Sequence, residues 1–305
     1  MKTDGKRAKN SFNGRLYGRL VDVADVPDSQ LQQMYGIFER YYDNVSWPSF
    51  RKDFREKSRV ILLFDRRTGL LQGFTTLKTF RSVVQGKEVA GLFSGDTVVE
   101  REYWGQPALR ATFFRAMVVT WWENLLESKG RRPFYWFLIS KGYKTYLLLT
   151  NNFHTHWPRY NVPMPDRERE IMRTFAHSLY PGRVDERELK TFGRDPGRQV
   201  DRAMVLPFDQ GAPCLREEVA PIRHDLLTNP KIRYFQIANP GWEDGHELCC
   251  LAPISPTIFV HFIWRLLYST AKRTSGLGRS RRMKPEMGVS GVNAVEAESS
   301  QRGLT

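Results

Sequence analysis

Residues 90–159 read AGLFSGDTVVEREYWGQPALRATFFRAMVVTWWENLLESKGRRPFYWFLISKGYKTYLLLTNNFHTHWPR and contain four elements with little between them. The Val, Phe and Leu residues of 90–99 predict a strand. Apolar residues at helical spacing predict a helix over 107–129, which begins at Pro107 and ends before Gly130. Residues 134–139 then predict a second buried strand, and residues 141–149 predict a short helix.

A strand, loop, helix and strand in this order predict two parallel strands joined by a crossover. The polar loop at residues 100–106 leads into the helix, so free backbone N–H groups meet there. The N-terminus of a helix favours anion binding, so one interpretation of this loop is a site for a phosphate-bearing cofactor. An ordinary crossover without a ligand is the other.

The preceding segments add three strands and two helices. Residues 15–23 alternate as a strand does, and residues 31–42 carry apolar side chains at helical spacing after a Pro-Asp-Ser start. A second short helix is predicted over residues 46–57. Residues 59–65 and 70–80 predict a hairpin around the turn at residues 66–69, and residues 85–87 turn again into the strand at 90–99.

This order of elements resembles the acyl-CoA N-acyltransferase (GNAT) superfamily over residues 16–160. In that family a pyrophosphate loop, Arg/Gln-x-x-Gly-x-Gly/Ala, leads into the helix. The nearest match is Tyr103-Trp104-Gly105-Gln106-Pro107-Ala108, in which Pro107 replaces the later glycine and Trp104 replaces a basic residue. The resemblance implies an α+β fold, with a mixed, mostly antiparallel sheet flanked by helices, followed here by a C-terminal extension.

The resemblance also implies a cofactor site. Acyl-CoA would be the co-substrate and an amine the acceptor. Val98 and Val99, at the end of the strand, and the loop Tyr103–Ala108 would contact the cofactor. Backbone N–H groups near residues 94–98 would polarise the thioester carbonyl.

Catalytic roles follow from the same resemblance. Tyr146 would protonate the departing thiolate, with Tyr143 as second candidate, since a phenol stays neutral near pH 7. Asp96 and Glu100 would be candidates for the base that accepts the amine proton. The alternatives are packed tyrosines and solvated carboxylates. His154 and His156 form a His-x-His pair without a third ligand nearby, so no metal is predicted.

Composition bounds the function classes. The formal net charge of +14 favours anionic partners, although no nucleic-acid motif accompanies it. Three cysteines, two of them adjacent, form neither a disulfide framework nor a zinc pattern, which indicates a reducing cytoplasm. The first residues are charged with no apolar stretch behind them, so no secretory signal is predicted.

Four segments are expected: a disordered N-terminus (1–12), a GNAT-like domain (13–160), an extension (161–272) that completes or flanks the sheet, and a disordered basic tail (273–305). Within the extension, residues 165–180 predict a helix, 181–197 a turn-rich surface, and 200–208, 233–238 and 247–252 strands. The apolar residues 256–268, with the basic residues up to 284, predict either a docked helix or contact with an anionic membrane surface.

The expected function is therefore an acyl-CoA-dependent N-acyltransferase in the cytoplasm, or peripheral at the inner face of a membrane. The acceptor is open, and a long-chain or lipid-like one is conceivable. The alternatives are a non-catalytic GNAT-like binding protein and a basic nucleic-acid-associated protein.

Overall fold

The computed structural model describes residues 14–190, 200–209, 213–216, 222 and 224–259. The expected disordered segments 1–12 and 273–305 lie outside this part of the chain, as does most of the apolar stretch 256–268. All described residues belong to one compact unit, Met1–Val260.

The secondary structure comprises ten strands and six α-helices among the described residues. In chain order they are β1 (Leu16–Asp22), α1 (Asp28–Phe38), β2 (Tyr42–Asp43), α2 (Trp47–Arg55), β3 (Arg59–Asp65), β4 (Leu71–Val84), β5 (Lys87–Val99), α3 (Ala108–Glu127), β6 (Phe134–Ser140), α4 (Tyr143–Asn152), α5 (Asp166–Leu179), β7 (Asp185–Lys190), β8 (Val200–Leu206), β9 (Cys214–Leu215), α6 (Pro230–Ala238) and β10 (Glu247–Ile254).

Eight strands form one sheet in the order β1-β3-β4-β5-β6-β10-β8-β7, and β2 pairs with β9 separately. Neighbouring strands of the large sheet are antiparallel except β5 and β6, which are parallel. The predicted α+β class, the mostly antiparallel sheet and the parallel pair after the crossover helix are confirmed. The extension completes the sheet through β7, β8 and β10.

Helices cover both faces of the sheet. On one face, apolar side chains of α3, α4 and α6 pack on β5, β6 and β10. On the other face, α1 and α2 cover β3 and β4, and α5 covers the middle of the sheet. The near-continuous apolar sequence of β6 follows from this arrangement, because both of its faces are buried.

Two predictions in the extension were wrong. Residues 233–238 lie in helix α6 rather than in a strand, because Asn229 caps the helix through the N–H of Lys231 and Pro230 occupies its first position. Ile232, Phe235 and Ala238 then meet the core at helical spacing. Within the predicted turn-rich surface at 181–197, residues Asp185–Lys190 form edge strand β7.

A β-bulge interrupts β5 before the strand ends. The register of β4 and β5 shifts so that Gly95 and Asp96 together oppose Thr76. Before the bulge, the side chain of Leu92 faces α3. After the bulge, the side chain of Val99 faces α3. Even-numbered residues of β5 therefore face α3 before the bulge, whereas odd-numbered residues face α3 after it. Among the described residues, no helix is long and apolar enough to cross a bilayer.

Candidate functional site

A cleft opens where the two parallel strands separate. The pairing of β5 with β6 ends at Ser94 and Leu138, after which β5 follows β4 to Val99 and β6 follows β10 to Ser140. A cavity of about 440 Å³ lies at this point. Its lining comprises Leu16, Tyr41, Leu63, Thr97, Val98, Val99, Tyr103, Trp104, Gly105, Gln106, Leu109, Gly142, Lys144 and Thr145.

The edge of β5 presents backbone donors to this cleft. The N–H of Glu100 donates to the carbonyl of Gln72 on β4, at 2.9 Å. Because hydrogen bonds alternate sides along a strand, Val98 also bonds toward β4, whereas the N–H groups of Thr97 and Val99 point into the cleft. The carbonyl of Val99 already accepts a hydrogen bond from Nε1 of Trp104, at 2.7 Å. The N–H of Thr97 lies within the segment 94–98 that was predicted to polarise a thioester carbonyl. The N–H of Val99 lies one residue beyond that segment.

The loop between β5 and α3 is anchored by Tyr103. Its hydroxyl donates to Oδ2 of Asp65, at 2.8 Å, and accepts from Nη2 of Arg15, at 3.1 Å. Asp65 also accepts the backbone N–H groups of Thr68 and Arg67, which with the Tyr103 hydroxyl lower the pKa of its carboxyl to about 2. Tyr103 was predicted to contact a cofactor, and it lines the cavity while holding the loop in place.

The same loop leads into the first turn of α3. Gly105 has φ +79°, a left-handed conformation that glycine adopts without strain. Pro107 precedes the helix and has no N–H, and its carbonyl accepts from Ala111 at 2.9 Å. The first-turn N–H groups of α3 therefore begin at Ala108. Tyr103, Trp104, Gly105 and Gln106 line the cavity, whereas the other two predicted loop residues, Pro107 and Ala108, are not part of its described lining.

Two cations flank the exposed ring of Trp104. Nζ of Lys144, in the first turn of α4, lies 4.7 Å from the ring centroid, and the guanidinium carbon of Arg101 lies 5.8 Å from it. Burial, followed by the charge of Arg101, lowers the pKa of Lys144. Neither cation was predicted from the sequence, because their approach to the ring depends on how β6 and α4 lie beside the loop.

Glu100 has a structural role. Its carboxylate accepts hydrogen bonds from Arg40 and from the hydroxyl of Tyr41, the latter at 2.8 Å. The same hydroxyl accepts the N–H of Arg101, at 2.9 Å. A carboxylate engaged in this way is poorly placed to take a proton from a substrate, so the candidacy of Glu100 as a base is not supported by its contacts.

Asp96 occupies a different environment, on the bulge and on the α2 and α5 side of the sheet. Burial, together with the charge of Asp53, raises its pKa to about 6, while Lys57 opposes the rise. Glu247, at the start of β10, has a pKa raised to about 7 by burial and then by the charge of Asp96. Glu247 was not predicted, because only the sheet order brings it near Asp96.

A buried hydroxyl adjoins this carboxylate pair. Oγ1 of Thr76 is buried and has no hydrogen-bond partner among the described residues. A Cβ added at Gly95 would lie 2.7 Å from this oxygen. The backbone of Gly95 therefore passes directly beside the Thr76 hydroxyl, opposite the bulge that contains Asp96.

Tyr146 does not lie in the cleft. Its side chain is fully buried among Tyr234 and Phe235, and its hydroxyl donates to the carbonyl of Pro158 at 3.0 Å. This placement speaks against the predicted role of Tyr146 as proton donor. Tyr143 is partly buried against the same core and lies outside the described lining of the cavity.

The histidine pair shows no metal-site geometry. Nδ1 of His156 lies 2.8 Å from the carbonyl of Phe153, and burial lowers the pKa of this histidine to about 4. Among the described residues, no group of three or more His, Cys, Asp or Glu side chains is arranged to bind a metal ion.

Comparisons with known proteins rest on structure alone. No family model matches the chain, and no curated protein sequence matches it. A conserved protein from Enterococcus faecalis, described as a probable N-acyltransferase, matches 56% of this chain with 12% identity and a TM-score of 0.34. The match spans 39% of the length of that protein.

Two further solved structures cover more of their own length. An acetyltransferase from Trypanosoma brucei matches 49% of this chain and 99% of its own, with 16% identity and a TM-score of 0.32. A GNAT family N-acetyltransferase from Escherichia coli, solved in complex with CoA, matches 52% of this chain and 79% of its own, with 15% identity and a TM-score of 0.30. TM-scores below 0.5 describe a loose likeness, which concerns the fold alone.

Proposed function

We propose that the protein is an acyl-CoA-dependent N-acyltransferase in which an amine attacks a thioester directly. One observation carries the proposal: where β5 and β6 separate, strand-edge donors meet a cavity that Lys144 lines, and Arg101 lies over the ring of Trp104 beside it. A pantetheine arm contains amides that bond to a strand edge, and its thioester needs donors at the carbonyl oxygen.

The acyl donor would lie along the free edge of β5. The N–H groups of Thr97 and Val99 would bond the arm and polarise the thioester carbonyl. Arg101 and the first turn of α3 would face the phosphates, since cations and helix N-termini both attract them. Apolar side chains such as Leu63 and Leu109 line the cavity and would contact the acyl group.

Asp96 is proposed as the base. A carboxyl with a pKa of about 6 is mostly ionised at pH 7 and still accepts a proton well. The amine nitrogen attacks the carbonyl carbon, its proton passes to Asp96, and the C–S bond breaks as the amide forms. Glu247 and the Thr76 hydroxyl would position the acceptor, which attacks as the neutral amine.

Lys144 is proposed to protonate the thiolate, in place of Tyr146. Lys144 lines the cavity at the start of α4, and its lowered pKa makes its ammonium group a better acid than an ordinary lysine. The helix N-terminus would also stabilise negative charge on sulfur. The balanced reaction converts a thioester and an amine into an amide and a free thiol.

The first test is calorimetric titration with acetyl-CoA and with a long-chain acyl-CoA, followed by thiol release in the presence of varied amines. We expect saturable binding, and the preferred chain length would define the donor. Lys144→Gln should lower kcat by about 10²-fold, the lower end of the range for lost proton transfer. Lys144→Arg should retain binding but not turnover, and Lys52→Gln, on the exposed face of α2, serves as the charge-matched control.

A non-catalytic binding protein is the second candidate, and the Trp104–Val99 hydrogen bond favours it. This bond occupies a strand-edge acceptor that an amide of the cofactor would otherwise use. Saturable acyl-CoA binding without thiol release for any amine would support this candidate. Absence of binding to both acyl-CoA compounds would contradict both functions.

A further inference from the structure

A second charged cavity lies at the opposite end of the parallel strand pair, where β5 and β6 begin. Its volume is about 490 Å³, and four cations and one carboxylate line it, together with Ser128 and Pro133. The cations are Lys87, Arg131, Arg132 and Arg167, and the carboxylate is Glu88. We propose that this cavity binds a small phosphorylated molecule that carries at least two negative charges.

Arg132 forms the fixed floor of the cavity. Its side chain is only 8% exposed, and its Nε and Nη2 both contact Oε2 of Glu88, at 3.1 and 2.9 Å. Nη1 donates to Oδ1 of Asn124 at 3.2 Å, and Nδ2 of Asn124 donates back to the carbonyl of Arg132 at 3.0 Å. The single lining carboxylate is therefore engaged by a buried guanidinium and does not serve the other cations.

The other three cations come from three separate elements. Lys87 begins β5, Arg131 lies in the turn between α3 and β6, and Arg167 lies in the first turn of α5. Within the described part of the chain, none of their side chains has a hydrogen bond or ion pair. The three cations line one cavity and have like charge, so a bound anion would reduce the repulsion among them.

Arg167 is an exposed side chain in the first turn of α5, which also contains Asp166 and Glu168. A cation in the first turn of a helix opposes the helix dipole, which favours negative charge there. The acid beside it, Asp166, is engaged by Nη1 of Arg169 at 2.7 Å. An anion between Arg167 and Arg131 would meet both guanidinium groups and the N-terminus of α5.

The charge and size define the ligand class. Arginine binds phosphate through two parallel N–H bonds, and lysine adds a point charge. Two arginines and a lysine around a cavity of this size suit a diphosphate or a phosphate ester better than a single carboxylate. This cavity is separate from the cleft between β5 and β6, so anion binding here does not depend on the proposed transferase activity.

The test is calorimetric titration of the full chain with inorganic pyrophosphate, with sulfate at equal ionic strength as reference. The variant Lys87→Gln/Arg131→Gln/Arg167→Gln should bind pyrophosphate at least tenfold more weakly than the wild type. The control variant Arg19→Gln/Lys52→Gln/Arg67→Gln loses the same charge from exposed positions elsewhere and should bind as the wild type does. Thermal unfolding of both variants verifies that they are folded.

Three outcomes would overturn the proposal. If the cavity variant and the control variant bind pyrophosphate equally, the anion responds to net charge only. If Lys144→Gln abolishes binding and the cavity variant does not, pyrophosphate binds in the acyl cleft instead. Binding of sulfate as tight as that of pyrophosphate would likewise show that the cavity does not select phosphorylated molecules.

Discussion

Asp65 and Asp96 are two aspartates of one sheet that have opposite environments. Asp65 ends β3 and accepts two backbone N–H groups and the Tyr103 hydroxyl, so its pKa falls to about 2. Asp96 lies on the bulge of β5, where burial and the charge of Asp53 raise its pKa to about 6. The first carboxylate is stabilised as an anion and organises a loop, whereas the second is held near the protonation midpoint that acid–base chemistry needs.

The difference has a local cause. Asp65 meets donors because a tight turn follows it, and a turn directs successive N–H groups to one side chain. Asp96 meets few donors because a bulge removes its strand segment from the regular ladder and turns it toward other carboxylates. The residue type therefore does not reveal the role, and most of the following predictions alter one or both members of this comparison.

Substitution Asp96→Asn should have the largest effect. Loss of the base should lower kcat by about 10²–10⁴-fold, the usual range for proton-transfer groups. Stability should stay equal or increase, because the change removes a buried charge that repels Asp53. Thiol-release kinetics and thermal unfolding measure both quantities. A variant that keeps full kcat would exclude Asp96 as the base.

Substitution Tyr103→Phe tests the other aspartate. The change removes a hydrogen bond to a charged group, which is worth about 1.5–3 kcal/mol in the free energy of unfolding. The loop should loosen, and acyl-CoA affinity should fall while kcat at saturation is retained. Denaturant unfolding and titration calorimetry measure the two effects. A large loss of kcat with unchanged affinity would place Tyr103 in the chemistry instead.

The pH dependence of stability should separate the two aspartates. The folded pKa of Asp96 is raised above its reference value of 3.8, so its contribution to stability is lost as pH rises from about 4 to about 6. The folded pKa of Asp65 is depressed, so its contribution is lost as pH falls from about 4 to about 2. The rate should rise with pH through about 6, as the base becomes ionised.

The measurement compares the melting temperatures of the wild type and Asp96→Asn across this range. His156 acts in the opposite sense in the wild type, since its depressed pKa reduces stability as pH falls from 6.5 toward about 4. Because Asp96→Asn retains His156, subtraction of the two stability curves removes the contribution of this histidine. The difference should grow by about 1–3 kcal/mol between pH 4 and 7. If the difference in stability between the two proteins does not change with pH, the pKa of Asp96 is not shifted.

Substitution Trp104→Phe should have the smallest effect. The change keeps an aromatic ring but frees the carbonyl of Val99 from the indole N–H. A neutral hydrogen bond contributes about 1 kcal/mol, so acyl-CoA should bind about fivefold more tightly if its amide uses this carbonyl. Weaker binding would show instead that the Trp104 hydrogen bond belongs to the ligand-bound state.

The order and type of most elements were predictable from local pattern. Alternation and apolar runs located β1, β3, β4, β5 and β6, and helical spacing located α1, α3 and α5. The cleft followed from that order, since parallel strands joined by one crossover helix meet at the same edge. The loop that was predicted to contact a cofactor lies at the cavity, because its position depends only on the end of β5 and the start of α3.

The proposed catalytic groups were less predictable because their positions depend on long-range contacts. Tyr146 was selected by its position after β6, but its side chain turns into the core that α6 completes. Lys144, two residues earlier, faces the cavity instead. Glu247 approaches Asp96 only because β10 inserts beside β6, and no local pattern encodes strand order. Helix α6 itself was missed because its apolar run suits either a strand or a helix.

The bulge in β5 also fixes how the protein tolerates insertions and deletions. Gly95 and Asp96 share one partner on β4, so β5 contains one residue more than its ladder requires. Deletion of Gly95 would restore a regular strand and leave the apolar pattern before it intact. The deletion would also move the carboxylate of Asp96 to the opposite face of the sheet, or shift every later residue of β5. The chain length between Ser94 and Thr97 is therefore as specific to this site as any side chain in it.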